Sequence, residues 1–316
     1  MVKINNPLVS VVVPVMNMER TIDSTLRSLL LQTYENREII VVDGGSTDRT
    51  KDIVKKHSVK LIESEGKGLS YDRNLGIQNS RGKIVAFIDA DCVADKDWLK
   101  YLIQNYTFDS IAGCGGEILP YSTPYVDYVP QTLVERFACK KHIHPRYYFK
   151  TEKPVELKRV ENDFLSGCIM TANASYRKDI LTKVEGFDNT LSESGEDIDL
   201  CYKIHDMGLK IIWDPRAIVY HRHRRTINGL IKQFYKYGKS IAPVNKKYSS
   251  KKVFIDFKHY TRLFEHTFSF LKRATTVYSE KDKELYLFSP VMSSLMHLSL
   301  IAGKIRGSTK NGIFTF

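Results

Sequence analysis

Apolar residues along this chain follow two periods, and the switches between them mark its elements. Leu8-Val-Ser-Val-Val-Val-Pro-Val15 is a short β-branched run of the kind a buried parallel strand needs. A helical pattern follows, with Ile22, Leu26, Leu29 and Leu30 on one face. Glu38 to Asp43 reads as a second buried strand that stops at a carboxylate, Asp48 to Lys56 as a helix, Val59 to Glu63 as a strand and Ser70 to Asn79 as a helix. Lys83 to Asp89 is the next strand. Strand–helix alternation of this kind predicts a mostly parallel sheet with helices on both faces, and ligands bind such sheets beyond the carboxyl ends of the strands.

From about residue 110 the pattern loosens. Strands are predicted over Ile111 to Leu119, Ile169 to Tyr176, Lys210 to Trp213 and Arg216 to Tyr220, and helices over Pro124 to Lys140 and Glu196 to Asp206. His142 to Lys158 is polar, basic and broken by proline, and reads as a loop. Beyond Thr226 the chain reads as helical, with no second alternating unit.

With 316 residues, at roughly 150 per domain, the chain has room for about two units. The expected division is 1–240 and 241–316. Apolar residues at 42% and charged residues at 27% exclude disorder, collagen and a disulfide-stapled miniprotein. The five cysteines are odd in number and none has Cys-x-x-Cys spacing, which points to a reducing compartment instead of a zinc ribbon or disulfide framework. The first residues, Met-Val-Lys-Ile-Asn-Asn-Pro, carry no apolar signal core, so secretion is not expected. The net charge of +12 is local: between His221 and Arg262 twelve Lys and Arg face one acid, Asp256. That segment predicts an anionic partner, for which a membrane surface, a nucleic acid and plain solvent are the alternatives.

Polar residues at strand ends are the candidates for chemistry. Asp89-Ala-Asp91 follows a buried strand, and alternation brings both carboxylates to one side. Paired carboxylates there suit a divalent cation bridging nucleotide phosphates. Asp43-Gly-Gly-Ser-Thr-Asp48 also ends a strand, and Asp43 can accept hydrogen bonds from a base or ribose. The alternative for this stretch is an ordinary turn with Asp48 capping the next helix. His221 and His223 lie at extended spacing, so either imidazole can complete a Mn2+ sphere; His221 is preferred, and a surface histidine is the alternative.

In chain order, Val11-Val-Val-Pro14 with Asn17, Ile40 to Asp48, Arg73-Asn74-x-Gly76, Asp89-Ala-Asp91 and Gly195-Glu196-Asp197-x-Asp199-Leu200 together resemble the family 2 glycosyltransferases. The resemblance covers roughly residues 8 to 240. It implies a GT-A type, Rossmann-like α/β fold with a mostly parallel sheet, here followed by a basic helical extension, and an inverting, metal-dependent transfer from a nucleotide-diphosphate sugar. UDP is preferred over GDP. The implied acceptor is a saccharide or lipid-linked saccharide in cell-surface or glycoprotein glycan synthesis. On the matching positions, Pro14 and Asn17 line the nucleotide pocket, Asp43 reads the base, Asp89 lies near ribose or metal, and Asp91 ligates Mn2+ or Mg2+. Arg73, with Asn74 beside it, sits near the diphosphate, and Asp197 is the catalytic base. Its place in a first helical turn is expected to keep Asp197 ionised. Asp199, about 200° around the helix, cannot share its face.

Three rivals to this reading are an inactive nucleotide- or glycan-binding module, a sugar-phosphate nucleotidyltransferase and a polyprenyl-phosphate glycosyltransferase. Intact Asp91 and Asp197 oppose the first. Val15-Met-Asn-Met-Glu-Arg20 lacks the glycine-rich loop of the second, and Gly66-Lys-Gly68 before Arg73-Asn74 fits enzymes that extend a glycan better than the third. At the far end, Val253, Phe257, Tyr260, Phe264, Phe268 and Leu271 form one helical face. Leu285 to Gly303 carries a polar stripe, Ser289, Ser293 and His297, which disfavours a membrane span. An interfacial helix with Lys304 and Arg306 at the headgroups is expected, with packing on the catalytic domain as the alternative. The implied location is the cytoplasm, peripheral on the cytoplasmic face of the cell membrane. No base-stacking module is evident, so no nucleic-acid partner is expected.

Overall fold

The central strand, β1 (Val9–Val15), is buried at all seven positions. It pairs in parallel with β2 (Arg37–Asp43) and β4 (Ile84–Phe87), so it meets neither edge of the sheet, and its run of valines suits a strand covered on both faces. The structure is a computed structural model that describes residues 6–122, 126–127, 129–141, 151–160, 166–191, 194–248 and 283–310. Among these, β3 (Lys60–Glu63), β5 (Cys92–Ala94), β6 (Ile111–Pro120), β7 (Val155–Leu157), β8 (Ala174–Arg177) and β9 (Lys210–His221) complete a nine-stranded sheet. Its order is β3-β2-β1-β4-β8-β6-β9-β5, with β7 also on β9. Strand β8 runs antiparallel between β4 and β6, and β5 and β7 run antiparallel to β9.

Chain contacts divide the molecule into two units, Met1–Val126 with His144–Arg222, and Asp127–Ile143 with His223–Phe316. The division thus falls after Arg222, earlier than residue 240, and the second unit takes in 127–143. In the first unit, α1 (Ile22–Leu30), α2 (Thr50–Val54), α3 (Leu69–Gln78), α4 (Trp98–Ile103), α6 (Lys178–Lys183) and α7 (Glu196–Asp206) accompany the sheet. Ile22, Leu26 and Leu29 of α1 enter the core, but Leu30 stays 37% exposed, because it lies one residue beyond the buried stripe.

Helix α3 reaches the sheet through Gly76, where a Cβ would stand 2.3 Å from Cγ1 of Val12 on β1. That close approach lets Arg73, one turn earlier on α3, lie buried beside the strand ends.

Sequence and structure part in three of the predicted segments here. The strand expected over Ile169 to Tyr176 opens as a 3-10 turn, Thr171–Asn173, before β8. The Asn173 side chain fixes that turn: it donates to the carbonyls of Glu117 and Ala217 and accepts the Trp98 indole N–H. Lys210 to Trp213 and Arg216 to Tyr220 form one strand, β9, irregular where Gly116 pairs Asp214 and Glu117 pairs Ile218. Buried Asp214, bound by Asn105 and Arg216, holds that irregularity. Val155–Leu157 inside the expected loop is strand β7; residues 142–150 lie outside the described residues.

The second unit contains α5 (Leu133–Lys141), α8 (Ile227–Tyr248) and α9 (Lys283–Lys310). Helix α5 starts later than Pro124 because Thr132 and Glu135 form a capping box, in which Glu135 accepts the N–H groups of Gln131 and Thr132 while Thr132 Oγ1 accepts that of Glu135. Val134, Phe137, Leu230, Met292 and Met296 make the core of this unit. Helices α8 and α9 pack backbone to backbone, with Gly238 against the Leu300 carbonyl and Gly303 against that of Tyr235. Ser293, expected in a polar stripe, is buried there, and so is Lys304, so Lys304 cannot reach headgroups as expected. The apolar face predicted over 253–271 lies outside the described residues. No helix among the described residues is long and apolar enough to cross a membrane.

Gly76→Ala is expected to cost about 1–3 kcal/mol of unfolding free energy, the usual scale of overpacking. Denaturant unfolding measures it; an unchanged midpoint would show that α3 does not depend on this approach.

Candidate active site

Because β1, β2, β3 and β4 run in parallel, their carboxyl ends open on one edge of the sheet, where Val15 registers with Asp43 and Asp43 with Glu63. Asp43 is buried. One carboxylate oxygen, Oδ2, accepts the N–H groups of Gly45 (3.2 Å) and Ser46 (2.9 Å). The other, Oδ1, is buried without a partner among the described residues, so it is an acceptor aimed at a group yet to arrive. Pro14, on β1, registers with Val42, the residue before Asp43 on β2. Asn17, at φ 55°, ties this end together: its N–H donates to Ser46 Oγ and its Oδ1 accepts the Thr47 N–H. Asp48 is not a bare cap residue either, for its carboxylate accepts the N–H groups of Glu19 and Thr50.

Sequence reasoning missed Asp72, one residue before Arg73. It lies buried against Gly44 and accepts the Ser64 hydroxyl, and burial, with the charge of Asp43 adding, raises its pKa. Only its place just before the Arg73-Asn74-x-Gly76 stretch signalled it. Asn74, expected near the diphosphate, instead clips the backbone of Phe187, donating to its carbonyl at 2.8 Å and accepting its N–H at 2.9 Å.

Arg73 is 1% exposed and binds two acids at once, Glu196 Oε1 at 2.5 Å and Asp89 Oδ1 at 3.1 Å. It joins the strand end that carries Asp89-Ala-Asp91 to the first turn of α7, which carries Glu196 and Asp197. Gly195, at φ 90°, makes the left-handed entry to that helix. Two polar atoms of the pair, Arg73 Nε and Glu196 Oε2, are buried without a partner among the described residues.

Asp197 lies beside this network, half-buried. Its expected ionised state is not what the site favours: burial raises its carboxyl from 3.8 to about 7, and the Glu196 charge adds, against Arg73 and the Ile198 N–H. Those two influences outweigh the helix end. Asp199 is engaged with Lys203 at 3.1 Å one turn on, as expected of the opposite helical face.

Asp91 and His221 come together, Oδ1 to Nε2, at 3.5 Å. Two ligand atoms about 2.1 Å from one ion lie roughly 3.0 Å apart at an octahedral angle and roughly 3.4 Å at a tetrahedral one, so the pair stands close to the spacing of shared ligands. Cys92, which sequence reasoning did not single out, joins them: one donor atom from each of Asp91, Cys92 and His221 lies within 4.8 Å of the others, and all three are buried. No sequence signal marked it, because the pairing that makes Cys92 the cross-strand partner of His221 is tertiary. His223 is not part of this cluster. Arg222 braces it, its N–H donating to the Asp91 carbonyl and its guanidinium to Ser24 Oγ. The carboxylate, imidazole and thiol donors fit a divalent cation.

A match to Glycosyl transferase family 2 spans residues 10–184. Glycosyltransferase AglE of Haloferax volcanii is 29% identical over 241 residues, which is 74% of this chain and 72% of that protein. Glucosyl-dolichyl phosphate glucuronosyltransferase of the same organism is 30% identical over 230 residues, 68% of this chain and 69% of its own. Among solved structures, mannosyltransferase PcManGT from Pyrobaculum calidifontis, in complex with GDP-Man and Mn2+, has a TM-score of 0.63 at 17% identity and covers 96% of this chain and 88% of its own. TarS 1-349 of S. aureus, in complex with UDP, has a TM-score of 0.51 at 18% identity, covering 98% and 93%. At that identity the likeness is one of fold, a mostly parallel sheet of the GT-A type flanked by helices.

Arg73→Met strands Glu196 in the interior, and a loss of about 3–5 kcal/mol of unfolding free energy is expected. The double variant Arg73→Met/Glu196→Leu should regain most of it. A double variant as unstable as the single one would show that the two side chains do not act as a pair.

Proposed function

This chain belongs to glycosyl transferase family 2 and is a glycosyltransferase, and from that premise we propose that it is an inverting, metal-dependent one that moves a sugar from a nucleotide diphosphate to a saccharide or lipid-linked saccharide. The observation that carries this reading is the Arg73 bridge. One buried guanidinium binds Asp89, beside Asp91, and Glu196, beside Asp197, which brings the cation end and the base end of the reaction to one place.

The residues divide the work as follows. Asp43 reads the nucleobase with the oxygen that lacks a partner, while Pro14 and Asn17 shape the pocket around it. Asp89 faces the ribose, and Arg73 serves the diphosphate end through the acids it holds in place. Asp91 and His221 would hold a divalent cation, Mn2+ or Mg2+, which when bound would offset negative charge on the leaving diphosphate. Asp197 removes the proton from the acceptor hydroxyl as that oxygen bonds to the anomeric carbon. The bond from that carbon to the diphosphate oxygen breaks on the opposite face. A carboxyl with a pKa of about 7 is well matched to this task, since it is a stronger base than an ordinary aspartate yet still half ionised at neutral pH.

UDP is proposed ahead of GDP. The two solved relatives carry one of each, so a panel of donors read by thermal shift tests the choice. A lipid-linked acceptor is supported by the relative named glucosyl-dolichyl phosphate glucuronosyltransferase. A place on the cytoplasmic face of an anionic membrane is supported by the basic segment from His221 to Arg262 and by α9, where Val291, Leu298 and Ile305 recur every seven residues, each 40–49% exposed.

Asp197→Asn should lower kcat by about 10²–10⁴ while donor affinity is largely kept. The base acts only when ionised, so wild-type kcat/KM should fall as pH drops through about 7. That limb should vanish in the variant. An active Asp197→Asn enzyme with the same limb would place the base elsewhere. Excess EDTA should abolish transfer, and full activity in EDTA would overturn the metal dependence. The protein should sediment with anionic vesicles more than with neutral ones, and less so as salt is raised. Indifference to anionic vesicles at low salt would remove the membrane from the reading.

A further inference from the structure

Oxygen donors alone suit Mg2+, but the cluster at the start of β5 contains a sulfur. Cys92 and His221 stand opposite each other in the β5–β9 ladder, and Asp91 is the residue just before Cys92. Cys92 Sγ lies 4.0 Å from Asp91 Oδ1, the same oxygen that His221 Nε2 approaches at 3.5 Å. One donor atom from each of the three residues thus lies within 4.8 Å of the others, and all three residues are buried. A cysteine in a core is often a small apolar filler. Here Cys92 does contribute to the main core, yet its sulfur is turned to a carboxylate and an imidazole.

We propose that Cys92 is a third protein ligand at this cation site and shifts its preference from Mg2+ toward Mn2+, Co2+ and Zn2+. The proposal rests on the reading of Asp91 and His221 as cation ligands. Its chemistry is that of ligand softness: Mg2+ demands near-octahedral oxygen and gives up water reluctantly, whereas a sulfur–nitrogen–oxygen set suits the borderline cations. On binding, the thiol proton passes to solvent and a metal–sulfur bond takes its place, so no oxidant or reductant is involved. Three buried protein ligands leave the remaining positions to the diphosphate oxygens and water.

The experiment uses the full chain stripped of metal and titrated with Co2+ alone. Wild type should show a thiolate-to-cobalt charge-transfer band in the near ultraviolet, absent in Cys92→Ser and in Cys92→Ala, and absent in Asp91→Asn, which rules out the other four cysteines as its source. The ratio of Mn2+ to Mg2+ affinity, measured by calorimetry, should fall by about tenfold or more in Cys92→Ala. Circular dichroism checks that the variants fold; should they not, the sulfur scatterer in the X-ray absorption spectrum of the wild-type cobalt protein gives the same answer without a variant. Cobalt bound without a thiolate band or sulfur scatterer overturns the role of Cys92 and leaves Asp91 and His221 as ligands. If the wild-type chain binds no cobalt at all, the cation-site reading fails and this proposal with it.

Discussion

One buried cation holds the two halves of the active site together. Arg73 sits on α3, and the acids it binds come from the end of β4 and the start of α7, elements separated by more than a hundred residues of chain. A buried ion pair of this kind seldom raises stability over well-packed apolar residues, because both charges must leave water. What it gives is location. With Arg73 in the interior, Glu196 has one place to be, and Asp197, as its neighbour, inherits that place. The same constraint reaches back through Gly76, whose missing side chain lets α3 come close enough to β1 for Arg73 to be buried.

The first half of the fold was legible because its signals are local. Strands β1, β2 and β4 are built on continuous apolar runs, and Asp43, Asp89 and Asp91 lie at or just past the ends of two of them, so period and position together marked these carboxylates. What escaped depends on residues far apart in sequence. Nothing near Cys92 says that it faces His221, because that pairing is made by β5 lying antiparallel on β9. The turn at Thr171–Asn173 replaces a strand because Asn173 finds carbonyls on two other strands and the indole of Trp98. Lys304 looked like an exposed basic residue in a helix pattern, but the glycine contacts between α8 and α9 bring the two backbones so close that its stem is covered. In each case tertiary pairing, not local propensity, set the outcome.

Asp197 shows how competing effects on one carboxyl are weighed. A helix amino terminus favours the ionised form by about 0.3–1 kcal/mol, up to ~2 when partly buried. Each unit of pKa is worth about 1.4 kcal/mol, so a rise from 3.8 to about 7 requires opposing influences several times larger. Burial supplies the first of them and the charge of Glu196 the second. Arg73 works against both, which means the Glu196–Arg73 pair adjusts the base in two senses: one partner raises its pKa and the other restrains it. A nearby ion pair near balance lets burial set the basicity without driving the group fully neutral.

That arrangement carries a cost in stability with a definite sign. A carboxyl whose pKa is higher in the folded than in the unfolded chain binds more protons when folded, so the fold is weakened as pH rises from about 4 to about 7 and stays so above that. At neutral pH the site therefore works against the fold that positions it, as active sites that tune their acids generally do. The opposing reserve lies in the layer beneath. Val9, Val11, Val13 and Val15 of β1 alternate with Ser10 and Val12 on the other face, all of them buried, Val9 to Val12 are paired on both sides, and none of these residues takes part in chemistry. Strain at the strand ends is tolerable because the strands that end there are the best-buried elements of the chain.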